Sequence, residues 1–504
     1  MPLRLYNTLS KREEDFAPLK EQSATIYTCG PTVYGRPHIG NYSSFLMADL
    51  LCRWLEVSEY RVTHVKNITD VGHLVADADT GEDKIERQAR KEFGDVTQES
   101  IIGIARKYEA EYLEDEKALN MREPQHRPRA TDYIIQMQKM VEVLLKKGYA
   151  YQTDDGIYFD VTSKTLTPYG TLSGNTLDKI SSGARVEVRE GKKHPADFAL
   201  WKFCVGANEH HVLRWPSPTF VPHPRGTTAG RPGEKNPEGF PGWHIECSAM
   251  SSSLLGEQID IHTGGEDNIF PHHECEIAQS ESVSGQKPFV KLWLHRRRID
   301  MGKEKMSKSL GNVLTLDDIR AMGFSPMDLR YYLLSVHYRT NLKFTEKGLD
   351  DAKKARRKIV EWMEDAEDAK DAEDAKNAPA SAPDGATAGR EDAEEWKRKF
   401  AEELNSDLNT PGALAVVFDC MAWSRKKKNI SACRSFVTMI RSTFGCFEPE
   451  EENTVPTQVL DLIAQREKAR LQKDFDASDQ LRDQIAALGY AVKDTEKGQE
   501  VRKK

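Results

Sequence analysis

Residues 24–65 read ATIYTCGPTVYGRPHIGNYSSFLMADLLCRWLEVSEYRVTHV, and this run decides the fold class. Ala24 to Cys29 is a short β-rich run closed by the turn residues Gly30 and Pro31. From Asn41 to Glu56 apolar residues recur at helical spacing, among them Phe45, Leu51 and Leu55. Tyr60 to Val65 is a second strand-like run. Strand, glycine-bearing loop, helix and strand is the grammar of a parallel sheet. The loop ahead of the helix lies where such sheets bind nucleotides.

Downstream, the stretch from Glu82 to Leu119 is charged and helical in pattern, and Thr131 to Lys147 is an amphipathic helix ended by Gly148. From Tyr149 to Pro241 the chain changes to short strand-like pieces, turns and a Pro/Gly-rich loop at Thr219–Gly239, which reads as an inserted module. Strand-like pieces resume at Gln258–His262 and Pro288–Leu294, separated by a helix starting near His272. The α/β domain is therefore split by an insertion.

After Thr345 the pattern is almost wholly helical, with segments at Glu391–Leu404, Pro411–Trp423 and Cys433–Thr443. A low-complexity segment, Glu364–Arg390, interrupts it; its Ala/Glu/Lys end can extend the preceding helix, while its Pro/Gly/Ser half reads as a linker. A small last unit begins near Thr457, with a helix at Asp474–Leu488 and a short strand at Tyr490–Val492.

Composition sets the outer bounds. The chain has 504 residues, 38% hydrophobic and 30% charged, and no apolar run reaches membrane-spanning length. Its first residues do not read as a secretory leader. Eight irregularly spaced cysteines argue against a disulfide framework, so a reducing, cytoplasmic setting is expected. The net charge of −8 is uneven: Glu364–Arg390 holds eight acids and three bases, or −5, which leaves −3 elsewhere. Leu294–Ser309 carries six bases and two acids, and Arg425–Lys428 is wholly basic. The acidic total therefore does not exclude a nucleic-acid partner.

Three constellations carry chemistry. In the first, Pro37-His38-Ile39-Gly40-Asn41, Gly40 lets a ligand approach the backbone at a helix N-terminus, which favours phosphate. His38 and Asn41 can donate hydrogen bonds to ligand oxygens. In the second, Lys305-Met306-Ser307-Lys308-Ser309, two lysines three residues apart suit a departing pyrophosphate. Taken singly, an ordinary turn and an exposed basic loop are the better readings of them. The third gathers Cys29, Cys247, His272 and Glu276, all zinc-ligand types, with His272 and Glu276 at i and i+4. Residue types alone favour buried cysteines and surface histidines there.

The first two motifs, in this order, resemble the signature pair of class I aminoacyl-tRNA synthetases, with Asn41 where that family usually has a second histidine. Cys29-Gly30-Pro31-Thr32-Val33-Tyr34, Gly242–Met250 and Phe270–Glu274 are similar to the cysteinyl-tRNA synthetase family. The resemblance runs from Leu3–Thr8 to Lys473–Asp483; residues 71–81 and Cys275 depart from it.

It implies a split Rossmann-type catalytic domain at 1–122 and 241–295, interrupted by a connective insertion at 123–240. A stem-contact region at 296–344, an α-helical bundle at 345–448 and a small C-terminal tRNA-binding domain at 453–504 follow. It further implies one zinc ion held by Cys29, Cys247, His272 and Glu276, and catalytic roles for His38, Asn41, Lys305 and Lys308. Thr69, Trp243 and His262 would contact the amino acid; Gly40, Gly265, Asp267 and Lys308 would contact ATP, used with Mg2+. The implied partners are L-cysteine and cysteine tRNA, for a monomer with no membrane contact. Two alternatives are a ligase joining cysteine to a small amino-sugar and an inactive synthetase-like binding protein. The helical C-terminal half favours tRNA over the first, and the retained lysines and ligand set speak against the second.

Overall fold

The computed structural model describes residues 2–72, 74, 82–177, 191–218, 237–302, 304–305, 313–374, 383–448, 457–471, 474–495 and 498–503. Strand β1, Ser23–Thr28, is buried at every position but Thr25. Strands buried on both faces belong to a parallel sheet covered by helices. Helix α1, Ile39–Val57, follows it, and every α1 residue from Tyr42 to Leu55 is buried. A helix buried all round has neighbours on all sides. Strand β2, Arg61–Lys66, then pairs in parallel with β1.

The sheet is completed from far downstream. Helix α2, Trp243–Leu255, leads into strand β3, Ile259–Gly265; helix α3, Glu274–Ser284, leads into strand β4, Val290–Arg296. The order is β4-β3-β1-β2, all parallel, with Tyr27 opposite His262 and His262 opposite Trp293. From β1 the chain crosses to β2 on one side, while β3 lies on the other. The crevice at their carboxyl ends is the position where open α/β sheets bind ligands.

The insertion forms its own antiparallel sheet. Ala150–Gln152, Gly156–Phe159, Phe198–Phe203 and Gly239–Pro241 pair in sequence order, and the last strand runs through Gly242 into α2. A second small sheet joins Ile299–Met301 to Glu304–Lys305 and Leu342–Phe344.

Residues 1–447 form one compact unit and 448–504 another. Within the first, the helices after Glu346 share a core with the parallel sheet: Trp54 of α1 packs edge-on to Phe400 at 6.1 Å and donates to Asn405 at 3.0 Å. Arg330, with no exposed surface, donates to the Phe444, Leu119 and Asn120 carbonyls and pairs with Asp49.

Two sequence readings change, while one holds: the Ala/Glu/Lys end of the low-complexity segment extends the preceding helix through Asp374, where Ala366 is fully buried and Glu367 pairs with Arg441 at 2.8 Å. Its second half, read as linker, is helical from Pro383 onward within Pro383–Asn405. In the last unit, a helix at Thr457–Leu471 and a second strand at Gly498–Lys503 join the expected helix and strand, now Phe475–Ala487 and Tyr490–Thr495. Most of 71–81, nearly all of the 219–239 loop and Lys308 lie outside the described residues. Among the described residues no helix is long and apolar enough to cross a membrane.

Candidate active site and metal centre

Cys29 stands immediately after β1, where Gly30 turns the chain against Asn67. A Cβ on Gly30 would lie 1.7 Å from the Asn67 carbonyl oxygen, so only glycine fits. Gly30 N–H donates to Asn67 Oδ1 at 2.9 Å. Cys247 enters on the first turns of α2, and its sulfur lies 3.9 Å from that of Cys29. His272 occupies a wide helical turn, Ile269–His273, that precedes α3, so His272 and Glu276 do not share one regular α-helix. Their contact survives: His272 Nε2 lies 3.1 Å from Glu276 Oε1. On the other side Glu276 Oε2 meets His262 Nε2 at 3.0 Å. Trp243 stacks on the His272 ring at 4.4 Å.

Sequence reasoning left out several neighbours that this geometry draws in. His273 Nε2 lies 3.3 Å from Cys29 Sγ, and its Nδ1 meets His295 Nε2 at 2.8 Å. A Cβ on Gly264 would fall 2.6 Å from the His273 ring, which sets the close packing of β3 against this histidine. His244 Nδ1 meets His272 Nδ1 at 2.9 Å. The adjacent His272-His273 pair was the available signal for His273; nothing in spacing pointed to Asn67, Glu246 or His295.

Charge in this buried cluster is balanced internally. Burial would raise Glu276, but His262 and His272 outweigh it and hold the carboxyl at about 2. Burial would lower His272, yet Cys247 and Glu276 raise it to about 10. Burial would raise Cys247, but its hydrogen bond with Cys29 and the His272 cation bring it to about 6, while burial and Cys247 push Cys29 well up. Burial and the neighbouring His262 keep His273 neutral. Burial and the Cys247 thiolate push Glu246 upward.

Donor atoms of Cys29, Cys247, His272 and Glu276 all lie within 4.8 Å of one another, and so do those of Cys29, His262, His273 and Glu276. Sulfur, imidazole nitrogen and carboxylate oxygen converging in a buried cleft are a donor set suited to a cation such as zinc. The residues present fit a metal.

His38, Gly40, Asn41, Gly265 and Asp267 follow the carboxyl ends of β1 and β3. His38 caps α1: its Nδ1 accepts from Asn41 N–H at 3.4 Å, and Asn41 Oδ1 accepts from His38 N–H at 3.0 Å. The Asn41 oxygen is thus committed to the cap, which leaves its amide nitrogen to donate to a ligand. Gly40 lies in that first turn. Gly265 ends β3 and donates to Asn268 Oδ1 at 3.0 Å, and Asp267 is exposed in the next turn. Lys305 lies on the strand paired to Ile299–Met301, Asp300 opposite it.

Comparison with known proteins now bears on this arrangement. Residues 15–354 match the model of the class I (C) tRNA synthetase catalytic domain; 399–447 match the DALR domain and 453–502 the cysteinyl-tRNA ligase anticodon binding domain. A cysteine–tRNA ligase of Chlorobium chlorochromatii is 39% identical over 99% of this chain and 98% of its own length. One of Thermus thermophilus is also 39% identical, with the same coverage. The chain belongs to the cysteine–tRNA ligase family.

As a cysteine–tRNA ligase family member it is an aminoacyl-tRNA ligase of class I. Distant solved structures bear out the fold. A Mycobacterium tuberculosis methionyl-tRNA synthetase in complex with methionyl-adenylate superposes with a TM-score of 0.55 at 13% identity, covering 84% of this chain and 92% of the other. The ternary complex of an Agrobacterium radiobacter K84 LeuRS gives 0.57 at 13% identity, covering 86% and 85%. In this cysteine–tRNA ligase fold the sulfur, histidine and carboxylate cluster gathers around Cys29, which follows β1, and His262 of β3.

Proposed function

We propose that this chain activates L-cysteine with ATP and Mg2+ and transfers it to the 3′ end of cysteine tRNA. A cysteine carboxylate oxygen attacks the α-phosphorus; the bond from that phosphorus to the bridging oxygen breaks, and pyrophosphate leaves. A ribose hydroxyl of the terminal adenosine then attacks the carbonyl carbon of cysteinyl-adenylate. The hydroxyl loses its proton, the carbonyl–phosphate bond breaks and AMP departs.

Each group of residues has one task in this reading. Thr69, Trp243 and His262 wall the amino acid, and Gly265 and Asp267 take the adenosine. Gly40 and the α1 N-terminus, with His38 and the Asn41 amide nitrogen, hold phosphate oxygens. Lys305 and Lys308 offset charge growing on pyrophosphate, as fixed cations do best where charge develops. Cys29, Cys247, His272 and Glu276 would hold one zinc ion, whose preference for sulfur over hydroxyl oxygen supplies rejection of serine. Residues 1–122 and 241–295 serve as the catalytic domain, 123–240 as the connective insertion and 296–344 as the stem-contact region. Residues 345–448 and 453–504 meet the tRNA. The enzyme acts as a cytoplasmic monomer.

The observation that carries this reading is the largely buried four-donor cluster that Cys29 anchors at the end of β1. The matches at 399–447 and 453–502 favour tRNA over a small amino-sugar as acceptor. The test is charging of cysteine tRNA with zinc quantified in the same preparation. Cys247→Ser is expected to lower zinc content and cysteine affinity together; wild-type cysteine binding by a zinc-free variant would remove the metal from thiol selection.

A further inference from the structure

One buried carboxyl beside the amino-acid pocket is absent from the roles above. Glu246, on the first turn of α2, has no exposed surface. Its Oε2 accepts from the Thr69 hydroxyl at 3.0 Å. Its Oε1 has no hydrogen-bond partner among the described residues. Nor does Glu246 form a salt bridge among them.

The hydrogen bonds running into Glu246 have a fixed direction. A backbone N–H can only donate, and Gly30 N–H donates to Asn67 Oδ1 at 2.9 Å. That contact orients the Asn67 amide, so its Nδ2 faces Thr69 and donates to Thr69 Oγ1 at 3.2 Å. Having received one hydrogen, the Thr69 hydroxyl sends its own to Glu246 Oε2. Thr69 is also pinned through its backbone: its N–H donates to Pro31 O at 3.0 Å, and its carbonyl accepts from Val33 N–H at 3.1 Å. What Thr69 Oγ1 retains is a lone pair. With Oε2 unprotonated the direction is fixed, because a carboxylate oxygen can only accept.

We propose that Glu246 is a positioning residue for substrate recognition: it accepts the hydrogen bond of the Thr69 hydroxyl, so that Thr69 meets the substrate as an acceptor only and selects its α-ammonium group. Of the substrate's polar groups, the carboxylate only accepts and the thiol is matched by the sulfur-rich cluster. The ammonium is the strong donor left for a lone pair at Thr69. This inference rests on Thr69 lying in the amino-acid pocket, as in the function proposed above.

The experiment compares two ligands on the full-length, zinc-loaded chain: L-cysteine and 3-mercaptopropionate, which keeps thiol and carboxylate but lacks the amino group. Glu246→Gln can donate to Thr69 and reverse the hydroxyl. It is expected to weaken cysteine binding about tenfold or more, the scale of one hydrogen bond to a charged group. Binding of 3-mercaptopropionate and the zinc content are expected to stay at wild-type levels. Thr69→Val, with Glu246 intact, is expected to show the same contrast, and Thr69→Ser to restore wild-type selectivity. Equal weakening of both ligands by Glu246→Gln, or unchanged cysteine affinity, overturns the proposal. If Thr69→Val discriminates and Glu246→Gln does not, the pocket reading stands and the role of Glu246 falls. If the wild-type chain binds neither thiol, both fall. Should Glu246→Gln not fold, Thr69→Val and Thr69→Ser decide, and the absence of their contrast rejects the proposal.

Discussion

Cys29 and Glu276 belong to both four-donor groupings of the buried cluster, whereas Cys247 and His272 belong to one and His262 and His273 to the other. Loss of a shared donor damages both sets; loss of His272 leaves the second intact. We therefore expect His272→Ala to retain part of its metal and Cys29→Ala to retain almost none. Metal stoichiometry after gel filtration checks this, and equal loss in both variants would show that the second grouping binds nothing. At this scale the sequence was readable where chemistry and motif coincide, as at Cys29, Cys247, His272 and Glu276. Asn67, Glu246 and His295 were not readable. They act through contacts between β1, β2, β4 and α2, and ordinary polar residues carry no mark of such distant partners.

Between elements, the buried ion network around α1 sets an acid limit. Burial would raise the Asp49 carboxyl, but Arg330 and Arg53 outweigh it and hold it at about 2. Its folded value lies below the unfolded one of about 3.9. Its contribution is therefore fully present above that pH and is lost as pH falls through about 2. Asp49→Asn leaves Arg330 buried without its anion, which is expected to cost about 3–5 kcal/mol at pH 7. Thermal unfolding should show a wide gap between the two proteins at pH 7 and a narrow one near pH 2; a constant gap would exclude the charge as its source. Periodicity made α1 and the four parallel strands legible, since each alternates or repeats cleanly between turn residues. It hid the helix that starts at Pro383, because a run of Pro, Gly, Ser and Ala carries no apolar repeat and reads as linker by composition.

For the molecule as a whole, the division at residue 447 is expected to separate two tasks that can be measured apart. The parallel sheet, insertion and helical bundle make one unit, and the last helices and hairpin make another. A chain ending at Phe447 is expected to keep cysteine-dependent pyrophosphate exchange within about twofold, because it retains every proposed activation residue. Its charging of cysteine tRNA should fall by about tenfold or more, on the scale of a few lost phosphate contacts. Equal loss of exchange and charging would place the last unit in the activation step instead. Strand order carries one more consequence. The edge of β1 that receives β3 emerges from the ribosome unpaired, and its partner is made only after residue 258. Until then an open edge faces the cell and one face of Cys29 lacks its neighbours. A metal held by Cys29, Cys247, His272 and Glu276 would thus be captured late in biosynthesis, and a nascent chain stalled before β3 would have strands β1 and β2 but no pocket to fill.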